Sequence, residues 1–377
     1  MIKYILSHPI QYQSPLLKYL SKRIKIKVLY RSDISLKKHY DSGFNKKVII
    51  DKNLLDGYSY DFLKYVGINK VTKIYPINIE FKNKIFTKET KIVWIHGIKI
   101  WYNVIIILLC KLYNKKVIAR DELNLLKKRS YINTLINKSY FKFINHFVDA
   151  FLYIGKRNRE FYINNGIPKE KLFLVPYVID NKRFKLKGRK HIKKKLQIYF
   201  IGKLIHRKGC DIFLKAINKC NNFNKFKKNV EIKIIGDGIL LKKYISYKKK
   251  NRLSNVFFLR FKNQDEIKKH IKKSNIFVLP SREENWGLVV NEAMNAGNVI
   301  ITSNHVGSSA DLVKNNHNGY TFKNEDYKDL SNKLLKLTNN KKKLNTFSKN
   351  SIKIIEKWSF KQCLIGLQKA IRYVSKK

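Results

Sequence analysis

Short apolar, β-branched runs alternate with helix-patterned stretches along nearly the whole chain, and the alternation stops and restarts once. In the first half the runs cover 2–6, 24–30, 91–95, 116–119, 151–154 and 172–175, with a helix from Pro15 through Leu20 after the first. Residues 176–190, with a proline, a glycine and many cations, read as a linker. The pattern resumes with strands at 197–201, 231–235, 256–259, 276–279 and 299–303, interleaved with helices at 211–219, 264–273 and 288–296. Strands that alternate with helices pair in parallel and need a layer of helices on each face. The expectation is an α/β chain of two Rossmann-like doubly wound domains, 1–180 and 190–355, with a last segment over 356–377. The 377 residues, 44% of them hydrophobic, suffice for two cores.

Open α/β sheets bind ligands outside the carboxyl ends of their strands, so the residues that follow strands carry the functional reading. After the first strand stands Ser7-His8-Pro9 and not a Gly-x-Gly-x-x-Gly turn, which excludes a nicotinamide-dependent oxidoreductase built on that domain. The formal net charge of +55 points to an anionic partner: a phosphate-bearing substrate, anionic lipid headgroups or nucleic acid. The lysines are spread along the chain, which equally fits a compositional bias over every surface. A basic nucleic-acid-binding protein is the alternative from another class, but the recognised nucleic-acid motifs are absent from the sequence. The longest apolar run, 104–110, is too short to cross a bilayer and reads as a buried helix, with a monotopic membrane contact as its alternative. Cys110, Cys210, Cys220 and Cys363 form no CxxC pair and read as reduced structural cysteines of a cytoplasmic protein.

Three after-strand segments carry chemistry. The first, Pro280 to Met294, opens a helix and holds Glu284 before it and Glu292 two turns into it. Glu292 sits among Val289, Val290, Ala293 and Met294, where an unpaired carboxylate is costly, and so suits hydrogen bonds from ligand hydroxyls. The alternative is helix capping by Glu283 and Glu284, with Glu292 on the surface. The second, from Gly202 to Gly209, places Lys203 and Lys208 between a strand and a helix, where a diphosphate fits. The third is Gly236-Asp237-Gly238, which is also a common tight turn.

Together these segments resemble glycosyltransferase family 4, retaining enzymes of the GT-B fold, over nearly the whole chain. The most specific match is Glu284, seven intervening residues and Glu292. A later loop resembles Asn304 to Val313, and a domain-crossing segment resembles Val175 to Phe184. The opening His8-Pro9-Ile10-Gln11-Tyr12 looks like a subgroup associated with bacterial surface polysaccharides. The resemblance implies two domains facing a cleft and a final helix, 358–371, that returns to the first domain. It implies catalytic roles for Glu284, Lys208 and Lys203, with Glu284 on donor-sugar hydroxyls and the lysines on the leaving diphosphate. Donor binding would fall to Glu292 at the ribose, to the backbone of Asn285, Trp286, Gly287 and Leu288, and to Gly202, Gly236 and Arg260. This chain departs from the family at Lys203, where Arg is usual, at Arg260, where Gly is common, and at Asp311, where Glu is common. The family's first-domain histidine has no clear match at Arg120-Asp121-Glu122, so His8, His96, Arg120 and Asp121 are the acceptor-side candidates.

The implied reaction is retaining transfer of a sugar from a nucleotide-diphosphate sugar to a hydroxyl of a glycan or lipid-linked acceptor in cell-surface polysaccharide synthesis. No cofactor and no metal are expected, since no DxD-like pair follows a strand. A cytoplasmic location, with peripheral contact at the inner membrane face, is expected, and no specific nucleic acid. An enzyme of similar fold that epimerises or phosphorolyses sugars is a further alternative.

Overall fold

The computed structural model describes residues 1–37, 39–41, 43–44, 46–48, 54–67, 71–72, 75–127, 129–185 and 195–376. The expected linker therefore lies partly outside the described residues; its first part has no regular secondary structure and leads into the short helix Asn181–Phe184. The chain divides into two compact units. One comprises Met1–Tyr40, Lys47–Asp180 and Phe360–Lys377, and the other Asp41–Lys46 and Asn181–Ser359. The segment Asp41–Lys46 thus groups with the second unit, although it falls within the span expected for the first domain.

The first unit is built on seven strands: β1 Ile2–Leu6, β2 Ile26–Tyr30, β3 Ser59–Phe62, β4 Ile92–His96, β5 Lys116–Arg120, β6 Ala150–Tyr153 and β7 Leu172–Leu174. Their order is β3-β2-β1-β4-β5-β6-β7, and every pair is parallel. β1 is buried at all five positions because helices cover both faces of a parallel sheet. Tyr4 of β1 and Trp94 of β4 stack at 3.7 Å within that interior.

The second unit repeats the plan with β8 Leu196–Ile201, β9 Val230–Ile235, β10 Val256–Leu259, β11 Ile276–Leu279, β12 Val299–Ser303 and β13 Gly319–Phe322. The order is β10-β9-β8-β11-β12-β13, again all parallel. Both sheets reverse direction once, between β1 and β4 and between β8 and β11, which is where a doubly wound sheet opens a crevice for a ligand. The helix Cys210–Cys220 buries Ile212, Phe213, Ala216, Ile217 and Cys220, a 3.6-residue stripe against the sheet.

The last helix, Phe360–Ser375, belongs to the first unit. It buries Cys363, Gly366, Leu367, Ala370 and Val374 on one face. Gly366 brings it against β7 so closely that a Cβ there would stand 1.8 Å from the Leu174 carbonyl oxygen. All four cysteines are free and buried. Among the described residues, no helix is long and apolar enough to cross a membrane.

Candidate functional site

In the second unit, the loop after β8 is tied across the switch point to the loop after β11, whose Arg282 amide donates to the Arg207 carbonyl at 2.9 Å, and on its other side to the turn after β9. The Gly202 amide donates to the Ile235 carbonyl at 3.0 Å, and the Gly236 amide to Leu259 at 3.0 Å. Gly236 has φ of +148°, and a Cβ there would stand 2.0 Å from the Gly202 carbonyl oxygen, so only glycine lets these two turns touch. The same turn carries Asp237, a buried residue whose carboxylate meets Arg260 Nε at 3.2 Å.

Lys208 lies over Gly202, whose added Cβ would stand 3.9 Å from Lys208 Cδ. Its ammonium pairs with the Glu284 carboxylate, and both side chains are largely buried. Arg207 Nη1 stands 3.9 Å from the other Glu284 oxygen. The backbone around Glu284 is fixed on both sides: its amide donates to the His305 carbonyl at 3.1 Å, and its carbonyl accepts from the Gly307 amide at 2.9 Å. A carboxylate held against two cations beside a glycine turn forms a rigid charged cluster that a phosphate or a sugar hydroxyl can join.

Glu284 does not cap the following helix. Leu288–Asn295 starts at Gly287 with no side-chain cap and no acid in its first turn, so its leading amides keep their capacity to bind an anion. Trp286 points inward: its indole N–H donates to Asn291 Oδ1 at 3.0 Å and its ring lies 5.2 Å from Trp358. Of the expected donor-binding run 285–288, Trp286 thus turns its ring to the interior, and its carbonyl accepts from the Ser308 amide at 3.0 Å.

Glu292 is buried on the same helix. Among the described residues none donates a hydrogen bond to its carboxylate. Burial pushes its carboxyl up to about 8, opposed only by the more distant charge of Arg183. Such a carboxyl is held ready for hydroxyl groups that the protein itself does not supply.

Lys203 is engaged with a partner that sequence reasoning missed. Its ammonium bonds both Asp41 oxygens, at 2.8 and 2.9 Å, and lies 4.8 Å from the Phe44 ring centre. Burial pulls the Asp41 carboxyl upward, but Lys203 and the Phe44 and Gly43 amides prevail and hold it below its ordinary value. Asp41 is far away in sequence, in a short ribbon of His39–Asp41 and Lys46–Val48, and nothing in its local sequence marks it.

The first-unit candidates divide. His96 Nε2 stands 3.6 Å from Glu122 Oε1, and its Nδ1 lies 3.4 Å from the Tyr4 hydroxyl. Tyr177 donates to the same Glu122 oxygen, and its hydroxyl also contacts that of Tyr12. Burial pushes the Glu122 carboxyl up, yet His96, Tyr177 and Arg120 outweigh it and keep Glu122 below the usual range. Arg120 is fully buried under Tyr177, 5.0 Å from its ring centre, and donates to the Val175 carbonyl at 3.3 Å. Asp121 accepts from the Ile98 and Glu122 amides, and burial raises its carboxyl. His8 Nδ1 is 3.0 Å from Ser7 Oγ. The structure thus gathers His96 and Arg120 around the half-buried Glu122 and turns Asp121 to backbone capping. Glu122 follows β5, so the after-strand rule that selected its two neighbours points to it as well. Among the described residues no cluster of His, Cys, Asp and Glu is arranged to hold a metal.

Residues 181–354 match the family Glycosyl transferases group 1. The chain is 29% identical over 253 residues to an uncharacterised glycosyltransferase of Methanocaldococcus jannaschii, a match covering 64% of this chain and 65% of that one. It is 32% identical over 152 residues to the Escherichia coli UDP-Gal:alpha-D-GlcNAc-diphosphoundecaprenol alpha-1,3-galactosyltransferase, covering 40% and 38% of the two chains. The matches thus span under two thirds of these relatives' lengths. The crystal structure of Anabaena HepE in complex with UDP superposes with a TM-score of 0.76 at 14% identity, over 98% of this chain and 99% of that one. The fold is therefore the two-domain GT-B fold, and its residues 181–354 are similar to the glycosyl transferases group 1.

Proposed function

We propose that the chain transfers a sugar, with retention, from a nucleotide-diphosphate sugar to a hydroxyl of a lipid-linked glycan in cell-surface polysaccharide assembly, and does so without a metal ion. The observation that carries this reading is the Lys208–Glu284 pair, with Arg207 beside it, set over Gly202 at the switch point of a group 1 glycosyltransferase unit. A donor diphosphate entering this crevice meets Lys203, Arg207 and Lys208, three cations where the leaving group needs them. As the anomeric C–O bond breaks, negative charge grows on the diphosphate, and cations already in place stabilise it without reorganisation. Glu284 then receives donor-sugar hydroxyls and Glu292 the ribose. The acceptor oxygen bonds to the anomeric carbon on the face the phosphate leaves, and its proton passes to the leaving phosphate. Three protein cations supply the charge that a metal provides in other transferases. The E. coli relative's diphosphoundecaprenol substrate supports a lipid-linked acceptor here.

The test is transfer of one sugar residue onto a synthetic lipid-diphosphate glycan, followed by mass spectrometry, with a panel of nucleotide sugars and EDTA present. One donor is expected to give an acceptor-dependent product, and Lys208→Ala is expected to lower kcat by about 10²–10³. Product formation equal in Lys208→Ala and wild type, or donor cleavage independent of acceptor, would overturn the assignment.

A further inference from the structure

The first unit carries an apolar surface that its own core does not use. Helix Tyr131–Ile144 buries Phe141 and Ile144. Its opposite side presents Ile132, Leu135, Ile136 and Phe143 to solvent, with Ile132 68% and Ile136 60% exposed. At 3.6 residues per turn these positions form one stripe, and Tyr131, Lys138 and Lys142 line its flank. The helix Trp101–Leu112 adds Trp101, Ile105 and Leu112, the last 80% exposed. These two helices follow β4 and β5, and right-handed crossovers in one direction place them on the same side of the sheet. Contacts tie helix Tyr131–Ile144 to the loop that leads into helix Trp101–Leu112: Tyr140 donates to the Ile98 carbonyl, and Lys99 to the Asn137 side chain.

Charge says what covers this surface. Residues 123–148 contain no Asp or Glu and five cations, and residues 91–120 contain no Asp or Glu either. At the start of helix Tyr131–Ile144 lies a pocket of about 210 Å³ whose lining includes Lys127, Arg129, Asn137 and Asn164 together with Leu125 and Phe161. A broad apolar stripe, flanking lysines and a basic pocket of headgroup size, on a helix too polar to insert fully, are the features of an interfacial helix.

We propose that helix Tyr131–Ile144, with the exposed side of Trp101–Leu112, seats the first unit on an anionic lipid bilayer. The apolar stripe enters the headgroup layer, Lys138 and Lys142 face the lipid phosphates, and one headgroup occupies the Lys127–Arg129 pocket. The sequence placed any membrane contact at 104–110, but Ile106, Ile107 and Cys110 are core residues, and the exposed stripe lies mainly on the next helix. The surface deepens the proposed function by naming the partner of the acceptor-side unit.

The test is co-sedimentation of the full chain, without donor, with phosphatidylglycerol-containing vesicles and with pure phosphatidylcholine vesicles at physiological salt. Wild type is expected to pellet with the anionic vesicles only. Ile132→Gln/Ile136→Gln and Lys138→Gln/Lys142→Gln should each partition about tenfold less. The equally exposed Lys227→Gln/Lys228→Gln on the second unit should stay within about twofold of wild type. Unchanged melting curves show that the variants are folded. Full binding by both first-unit variants overturns the proposal, as does an equal loss in the Lys227/Lys228 variant, which marks generic charge attraction. A wild-type dimer that ignores vesicles and dissociates in Ile132→Gln/Ile136→Gln assigns the surface to a second copy and overturns it too. Vesicle binding without any sugar transfer would leave the docking surface standing and remove the transfer reading.

Discussion

Glu292 lacks a hydrogen-bond partner among the described residues, and burial raises its carboxyl from an ordinary 4.5 to about 8. A raised carboxyl favours the protonated form in the folded state. The contribution of Glu292 to folding is therefore most favourable below about pH 4.5 and loses on the order of a few kcal/mol as pH rises to 8, beyond which the loss is complete. Glu292→Gln keeps the shape and removes the charge, so its melting temperature should fall less than that of wild type between pH 5 and 8. Differential scanning calorimetry in that window checks the sign. Donor binding couples in the opposite direction. On the proposed ribose contact, hydroxyls donate more strongly to the ionised carboxylate, so donor affinity should rise with pH from 6 to 8 in wild type and stay flat in Glu292→Gln. Titration of donor at three pH values reads this directly. The sequence already marked Glu292, because a carboxylate stood among apolar helix neighbours. Asp41 left no such mark: its importance comes from a ribbon that meets Lys203 across more than 150 residues, and charge pairs at that separation have no local pattern.

At the scale of elements, the strands most legible in the sequence are those buried on both faces. β1, β8 and β12 read as largely apolar runs, interrupted only by Lys3, Gln197 and the Thr302-Ser303 end, because parallel sheets covered on both faces demand them. β3, Ser-Tyr-Asp-Phe at an edge, and β13, Gly-Tyr-Thr-Phe, were missed because four residues with mixed polarity carry no period. The last helix gives a test with opposed predictions. By propensity alone, Gly366→Ala should stabilise a helix interior by about 1 kcal/mol. By contact it should destabilise, because the added methyl meets the Leu174 carbonyl oxygen at 1.8 Å and the helix must lift from β7. The contact dominates: the cost of moving a packed helix exceeds the propensity gain, and the melting temperature should drop by several degrees. A rise would mean that the helix docks less tightly than described.

For the whole molecule, two doubly wound sheets of the same strand order place chemistry at two carboxyl edges, and the alternation of the sequence was enough to anticipate both. Which edge residues the fold brings together was only half legible. The second unit's Lys208, Glu284 and Gly202 came out as a group because they follow strands β8 and β11 directly. In the first unit the rule picked Arg120 and Asp121, while the fold buries the first under Tyr177, turns the second to backbone amides and leaves Glu122 beside His96. The central claim is that the second unit binds a nucleotide sugar through this edge. Calorimetric titration of a nucleotide-sugar panel, without added metal, into wild type and Glu292→Ala tests it most directly. The account predicts that wild type binds one donor and that Glu292→Ala binds it at least tenfold more weakly. Binding of no donor, or equal binding by the two proteins, would contradict it.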